Sequence, residues 1–291
     1  MTDAFSRPDQ TRPEPPRRCA VFLDFDGTYA DHGAVPAAHA EAVQAVRANG
    51  HHVLLCTGRP LAILPPELAG TFDGLVTSAG ARVDIDGQTL CDERIDPETA
   101  RRAVAVLEEH GAAYCLESPE AMNVPERAMD LLRTRLTSLL GSADPDSPAA
   151  AGTRMIIDAL TVPDDLAGCS FAKISIWDSP AGIRELAELV GPGLRALPNS
   201  ITGDAARSGE LQNARIDKAD GVALVARHLG IDIADTVGAG DGMNDVGMLE
   251  AVGTAIGIEG SPAPVLAPAD IIVPGPSRHG LVEAFTRIGL L

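Results

Sequence analysis

Two short apolar runs at opposite ends of the chain each lead directly into a cluster of aspartates. Residues 19–23 precede the first cluster at 24–28, and residues 236–239 precede the second cluster at 240–245. Uninterrupted apolar runs of this length are typical of strands that are buried on both faces of a parallel sheet. Parallel strands expose their carboxyl ends at one edge of the sheet, where α/β proteins place their functional sites. The sequence therefore predicts that the two clusters meet at one edge of a parallel sheet.

The pattern between the clusters predicts an α/β fold that is interrupted by a second domain. Near both ends of the chain, apolar runs alternate with helical periodicity, which is typical of βαβ units and a Rossmann-like parallel sheet. In the middle, a hairpin signal at 84–90 and alternating polarity at 171–177 favour an antiparallel α+β unit. We expect a core formed by 18–83 and 206–291, with an inserted α+β cap domain at 84–205. Helical periodicity predicts helices at 36–49, 97–110, 123–140, 180–190, 218–228, 242–251 and 279–288.

Composition limits the classes of partner. The net charge of −18 argues against nucleic acid and anionic membranes, because both require a basic surface. No apolar run is long enough for a transmembrane helix. Prolines and charges at 1–17 predict a disordered tail rather than a signal peptide, and 141–152 reads as a polar loop. The five scattered cysteines indicate reduced thiols and a cytoplasmic location. We expect a monomer or a homodimer.

The two clusters together hold four carboxylates, those of Asp24, Asp26, Asp241 and Asp245. Side by side, they would repel one another and raise one another's pKa values, and a divalent cation is the simplest remedy. Mg²⁺ prefers carboxylate oxygens and keeps room for water and phosphate. The clusters therefore indicate metal-assisted phosphate chemistry. Each cluster alone also has an ordinary explanation, because Asp-Gly is common in turns and acidic residues are common at helix starts.

Thr57, Gly58 and Lys218 are candidates for holding a phosphoryl group. Thr57 and Gly58 follow the second predicted strand, where a hydroxyl and an exposed amide could bind an anion, although a helix cap is the simpler explanation. Lys218 begins a predicted helix, where a cation opposes the helix dipole. The chain has only two lysines, Lys173 and Lys218, and an ammonium is a compact point charge that arginine does not replace. The alternative for Lys218 is a solvated surface charge, and Lys173 could face either substrate or solvent.

Taken in order, these elements resemble the four sequence motifs of the haloacid dehalogenase superfamily. Residues 24–28 resemble its first motif, Thr57 its second, Lys218 its third and residues 240–245 its fourth. An insertion between the second and third motifs is similar to the Cof-type branch, which carries a C2-type α+β cap. The resemblance extends over residues 18–290.

The resemblance implies a Mg²⁺-dependent phosphatase that acts on a small phosphorylated metabolite such as a sugar phosphate. Asp24 would be the nucleophile that forms an aspartyl-phosphate, and Asp26 would be the general acid and base. The implied Mg²⁺ ligands are the Asp24 carboxylate, the Asp26 backbone carbonyl and Asp241, with Asp245 in support. The implied phosphoryl-binding groups are the Phe25 amide, Thr57, Gly58, Lys218 and Asn244.

Two other functions fit the same motifs. A phosphomutase uses the same parts but keeps the phosphate on its product. A phospho-acceptor regulatory domain also carries an acceptor aspartate, metal-binding carboxylates, a hydroxyl and a lysine. Two features argue against that alternative. Asp26 supplies an acid and base that would speed hydrolysis of the phosphate, and a cap of about 120 residues suits the enclosure of a small molecule. The residues at 78–81 and the Pro-rich stretch at 260–268 depart from the family pattern.

Overall fold

The computed structural model describes residues 18–31, 33–140, 148–198 and 207–291. The predicted tail at 1–17 lies outside the described residues, as does the first part of the loop expected at 141–152.

The described residues form fourteen strands, which belong to two sheets. The strands are β1 (Ala20–Leu23), β2 (His52–Cys56), β3 (Gly74–Thr77), β4 (Arg82–Ile85), β5 (Gln88–Asp92), β6 (Ala113–Glu117), β7 (Met122–Asn123), β8 (Leu160–Thr161), β9 (Lys173–Asp178), β10 (Leu194–Pro198), β11 (Gly209–Asn213), β12 (Thr236–Gly240), β13 (Thr254–Ile258) and β14 (Ile271–Val273).

Ten α-helices connect these strands within the described parts of the chain. The helices are α1 (Ala37–Ala48), α2 (Pro66–Thr71), α3 (Pro97–Glu109), α4 (Glu126–Leu140), α5 (Pro148–Ala159), α6 (Ile183–Val190), α7 (Lys218–Leu229), α8 (Val246–Ala251), α9 (Ala263–Leu266) and α10 (Gly280–Arg287). None of the described helices combines the length and the apolar content that a membrane crossing requires.

The first sheet brings the two aspartate clusters side by side. Its order is β14-β13-β12-β1-β2-β3-β4-β5, with the strands from β14 to β3 parallel. β1 and β12 are neighbours in register, and the Asp24 amide donates to the Ala239 carbonyl at 2.9 Å. Because the clusters follow these two strands, they share one edge of the sheet, as the strand pattern predicts.

β1 lies at the centre of the first sheet because both of its faces are covered. Its four side chains are fully buried. Val21 and Leu23 pack on one face with residues of α1 and α10, while Ala20 and Phe22 pack on the other with α7 and α8. Full burial of a large apolar side chain stabilises a fold by about 1.5–3 kcal/mol, so this strand is a rigid support for the cluster that follows it.

The second sheet has two chemically different faces. Its order is β10-β11-β9-β6-β7-β8, and all pairs are antiparallel except β7 with β8. One face is apolar and packs against α3 and α6 through a separate hydrophobic core. Its strand residues include Tyr114, Leu116, Ile174, Ile176 and Leu211. The fold class expected from the sequence, a Rossmann-like α/β core with an inserted α+β unit, is confirmed.

Two strand segments belong to a different sheet from the one that the expected domain boundaries at 84 and 205 imply. The hairpin β4–β5 extends the first sheet, because β4 pairs with β3 and covers an edge whose backbone groups would otherwise lack partners. Conversely, β11 at 209–213 pairs with β9 and β10 in the second sheet. The expected loop at 141–152 also ends early, since α5 begins at Pro148.

A left-handed turn joins β3 to β4. Ser78, Ala79 and Gly80 have φ values of 50°, 56° and 100°, a conformation that is unfavourable for residues with a Cβ atom. A Cβ atom at Gly80 would lie 2.0 Å from the Asp217 carbonyl oxygen. This turn therefore lies against the start of α7, which carries Lys218.

Candidate active site

Asp24, Asp245 and Lys218 meet at the carboxyl end of β1. The Lys218 ammonium donates to Asp24 Oδ1 and to Asp245 Oδ1, each at 2.5 Å. Lys218 is fully buried, and Asp24 is 6% exposed. A solvated surface charge is therefore excluded for Lys218.

Local sequence explains how a cation comes to begin α7. The Asp217 side chain accepts from the Ala219 amide at 2.7 Å, and the Asp220 side chain accepts from the Asp217 amide at 2.8 Å. This reciprocal pair is a capping box, which fixes a helix start. Burial alone would lower the pKa of Lys218, but Asp24 and Asp245 outweigh it and raise that pKa above the ordinary value. The ammonium is thus held charged against two carboxylates.

The second cluster is shaped around Asp245. Its Oδ2 accepts from the amides of Asp241 and Gly242 at 3.0 and 2.8 Å, so it holds the loop that carries Asp241. Asp241 Oδ1 accepts from the Thr28 hydroxyl at 2.8 Å. A Cβ atom at Gly27, where φ is 87°, would lie 2.4 Å from Asp241 Oδ2. Only glycine therefore allows the two clusters to approach this closely.

The carboxylates of this site fit a divalent cation. Asp24, Asp241 and Asp245 each offer an oxygen, and these three oxygens lie within 4.8 Å of one another. Burial raises the pKa of Asp24 well above its usual range, and Asp245 and Asp241 raise it further, while Lys218 opposes them. Burial and Asp245 likewise raise the pKa of Asp241 to about 6, against the Thr28 hydrogen bond. Crowded carboxylates of this kind are what a hard cation such as Mg²⁺ binds.

Asp26 lies apart from these three carboxylates. The Arg59 guanidinium donates to both of its oxygens, each at 2.7 Å, and lies over the Phe25 ring with its Cζ 4.8 Å from the ring centroid. Two parallel hydrogen bonds of this kind fix the orientation of a carboxylate. The sequence analysis did not identify Arg59 as a partner of Asp26.

Thr57, Gly58 and Asn244 lie together beside the carboxylates. Thr57 is buried, and its Oγ1 accepts from the Arg59 amide at 3.2 Å. Thr57 does not cap a helix, because the 3₁₀ turn that follows, Leu61–Ile63, is preceded by Pro60 and has no side-chain cap. A Cβ atom at Gly58 would lie 2.9 Å from Asn244 Nδ2. The motifs after β2 and β12 therefore face each other.

A cavity of about 830 Å³ lies between this site and the second sheet. Its floor includes Asp24, Asp241 and Asn244, and residues of the second sheet, among them Lys173, form its roof. Lys173 is 4% exposed, so of the two orientations left open by the sequence, it faces the site. The Pro-rich stretch at 260–268 also contributes, since Gly260, Ser261 and Pro262 line one wall.

The sequence pattern missed the acidic partners of Lys173. Glu117 on β6 and Glu210 on β11 flank Lys173 and line the same cavity. Glu210 belongs to β11, where polar and apolar residues alternate, and an inward polar residue on such a strand is a signal in the sequence. Glu117 ends the apolar run of β6, which carries no such signal.

Known proteins match this chain over nearly its whole length. Residues 21–285 match the model of the haloacid dehalogenase-like hydrolase family. Phosphatase YwpJ of Bacillus subtilis (strain 168) is 23% identical over 288 residues, which cover 92% of this chain and 99% of the relative. A phosphoglycolate phosphatase of Archaeoglobus fulgidus is 24% identical over 277 residues, which cover 94% and 97%.

Solved structures share the fold. The sugar phosphatase BT4131, of haloacid dehalogenase subclass IIB, superposes with a TM-score of 0.73 at 19% identity and covers 94% of this chain and 100% of its own. BT1666 from Bacteroides thetaiotaomicron gives a TM-score of 0.74 at 20% identity, with 97% and 99% covered. The chain therefore belongs to the haloacid dehalogenase superfamily, as a Cof-type hydrolase of phosphoric monoesters.

Proposed function

We propose that this protein is a Mg²⁺-dependent phosphatase that hydrolyses the phosphate ester of a small metabolite, such as a sugar phosphate, through an aspartyl-phosphate on Asp24. The observation that carries the proposal is the convergence of Asp24, Asp241 and Asp245 on the floor of the cavity, with the buried Lys218 ammonium bonded to two of them. A cavity lined by both sheets suits a small substrate, and paired carboxylates beside a buried cation suit phosphoryl transfer.

In this proposal Asp24 attacks the phosphorus atom and Asp26 donates a proton to the leaving oxygen. Asp26 then accepts a proton from the water that hydrolyses the aspartyl-phosphate. Its contact with Arg59 is exposed to the cavity and is exchanged for the leaving oxygen during the reaction. The second sheet acts as the cap that encloses the substrate.

The remaining site residues would bind Mg²⁺ or the phosphoryl group. The Asp24 carboxylate, the Asp26 backbone carbonyl and Asp241 would bind Mg²⁺, and Asp245 supports them by fixing the Asp241 loop. When bound, Mg²⁺ neutralises the carboxylates and the transferring phosphoryl group. The groups that would hold the phosphoryl oxygens are the Phe25 amide, Thr57, Gly58, Lys218 and Asn244.

The test is release of inorganic phosphate from a panel of phosphorylated metabolites with Mg²⁺, run beside Asp24→Asn and beside wild type in EDTA. We expect release by wild type with Mg²⁺ and loss of at least about 10³-fold in Asp24→Asn, because the amide is not a nucleophile. Equal release by Asp24→Asn would refute the role of Asp24. Isomerised substrate that keeps its phosphate would instead identify a phosphomutase, and a stable phosphoprotein would identify a regulatory domain.

A further inference from the structure

One face of the second sheet carries five polar side chains in adjacent positions, which we call the roof cluster. Lys173 is paired in register with Glu117 on one side and Gln212 on the other, and Ser175 is paired with Glu210. Because these residues alternate with the apolar residues of the opposite face, their side chains all point to the same side of the sheet. Each is less than a tenth exposed. Burying so many polar groups is costly unless they are paired or serve a ligand.

The roof cluster lies next to the proposed phosphoryl site. The Lys173 ammonium donates to the Gly58 carbonyl oxygen at 2.9 Å. Glu117, Ser175 and Glu210 line the cavity whose floor holds Asp24. A group esterified to a phosphate bound at Gly58 therefore faces the roof cluster.

Groups of this chain surround the Lys173 ammonium. It donates to the Gly58 carbonyl at 2.9 Å and forms ion pairs with Glu117 Oε2 at 3.2 Å and with Glu210 Oε1 at 3.3 Å. Burial alone would lower the pKa of Lys173, but the two carboxylates raise it above the ordinary value. The cation is thus committed to groups of this chain.

The carboxylates, in contrast, have acceptor capacity to spare. Glu117 Oε1 accepts from the Ser175 hydroxyl, whereas Glu117 Oε2 is buried and has no hydrogen bond of good geometry within the described residues. Its contact with Lys173 is an ion pair by distance but lacks the direction of a hydrogen bond. A carboxylate oxygen accepts up to two hydrogen bonds, so a hydroxyl donor from the cavity would satisfy it.

The net charge of the roof cluster also favours an uncharged ligand. Glu117 and Glu210 against Lys173 leave the cluster with a net charge of −1. Burial raises the pKa of Glu117 and Glu210 adds to this, with Lys173 opposing them, so a further negative charge beside the roof would be unfavourable.

We propose that the roof cluster determines specificity by accepting hydrogen bonds from an uncharged polyol leaving group and by repelling a leaving group that carries a second anion. This proposal rests on the proposed phosphatase function and names its substrate class. It separates this chain from the phosphoglycolate phosphatases among its relatives, whose name specifies a carboxylate on the leaving group.

The test compares pairs of esters that differ only by an alcohol or a carboxylate at the end remote from phosphate. Sorbitol 6-phosphate with 6-phosphogluconate forms one pair, and glycerol 3-phosphate with 3-phosphoglycerate forms another. We expect kcat/KM to favour the alcohol in the better-used pair by about tenfold or more, the effect of one unit charge about 10 Å away at an effective dielectric constant of about 20. Equal or greater kcat/KM for the carboxylate would overturn the proposal.

Glu210→Gln tests the origin of the preference, because it removes one negative charge and keeps the shape of the side chain. We expect the alcohol-to-carboxylate ratio to fall by about tenfold, while Glu188→Gln, an exposed glutamate of α6, leaves the ratio unchanged. An unchanged ratio in a folded Glu210→Gln would refute the role of the roof cluster.

Activity on p-nitrophenyl phosphate distinguishes failure of the specificity proposal from failure of the phosphatase function. If this ester is hydrolysed and carboxylate esters are preferred, only the specificity proposal fails; if no ester is hydrolysed, the phosphatase function fails and the specificity proposal with it.

Discussion

Asp241→Asn should stabilise the protein when no divalent cation is present. Burial and Asp245 raise the pKa of Asp241 from 3.8 to about 6, a shift of about two units, and one unit corresponds to about 1.4 kcal/mol. Because the side chain is partly exposed, solvent screening reduces the sum, and we expect about 2 kcal/mol at pH 7.5. Asparagine keeps an oxygen for the Thr28 hydroxyl, so the substitution removes the charge and little else.

The raised pKa of Asp241 also determines how the stability difference between Asp241→Asn and wild type depends on pH. The pKa of Asp241 is higher in the folded protein than in the unfolded chain, so its contribution is present below pH 3.8 and is lost as pH rises through about 6. The stability difference between Asp241→Asn and wild type should therefore grow from about pH 4 to about pH 7 and then remain constant.

Urea unfolding in EDTA at a series of pH values measures this difference, and the same curves with Mg²⁺ provide the second half of the test. Mg²⁺ should stabilise wild type in proportion to ligand occupancy and should stabilise Asp241→Asn much less, which reverses the order of the two proteins. Asp164→Asn, at an exposed position, is the matched control. If Asp241→Asn is less stable than wild type in EDTA at pH 7.5, or if the difference does not change with pH, the argument from crowded carboxylates is wrong.

Two further predictions concern buried polar groups. Lys218→Met leaves two buried carboxylates without their cation, so we expect a loss of about 3–5 kcal/mol in the free energy of unfolding, together with loss of phosphate release; a variant as stable as wild type in EDTA would contradict this. His39 is fully buried, with Nδ1 2.9 Å from the Tyr29 carbonyl and Nε2 accepting from the Leu281 amide, and burial lowers its pKa below 6.5. The stability that neutral His39 contributes is present above pH 6.5 and is lost as pH falls below that value, by up to about 1.4 kcal/mol at pH 5.5. His39→Asn should therefore lose less stability than wild type between pH 7.5 and 5.5, as measured by urea unfolding. Equal losses in the two proteins would contradict this prediction.

Local pattern predicted the parts of this fold that local physics determines. The continuous apolar runs before Asp24 and Asp241 predicted central parallel strands, because only strands covered on both faces need such runs. The Asp-Gly pair at 86–87 predicted the β4–β5 hairpin, in which both residues have positive φ. The scarcity of lysine directed attention to Lys218, and the buried contacts of its ammonium agree with that interpretation.

Pairing between distant segments accounts for what the sequence did not reveal. Nothing within β4 or β11 specifies which sheet it joins, because that depends on which strand edge is free once the domains form. Likewise, Glu117 and Glu210 reach Lys173 only through the order of β6, β9 and β11, and no short motif spans three strands. The bond between Arg59 and Asp26 joins two loops for the same reason.

The contact between Lys173 and the Gly58 carbonyl has a consequence for the speed of opening. The cavity lies between the two sheets, so any separation of the sheets that admits substrate would break this contact. An apolar roof would then lose its burial energy and would hold the cavity shut. The charged groups of the roof instead regain hydration as they leave the interior, which offsets much of the Coulomb energy that is lost. A charged surface of this kind would cover a bound substrate without adhering strongly to the opposite side of the cavity, which favours rapid release of product.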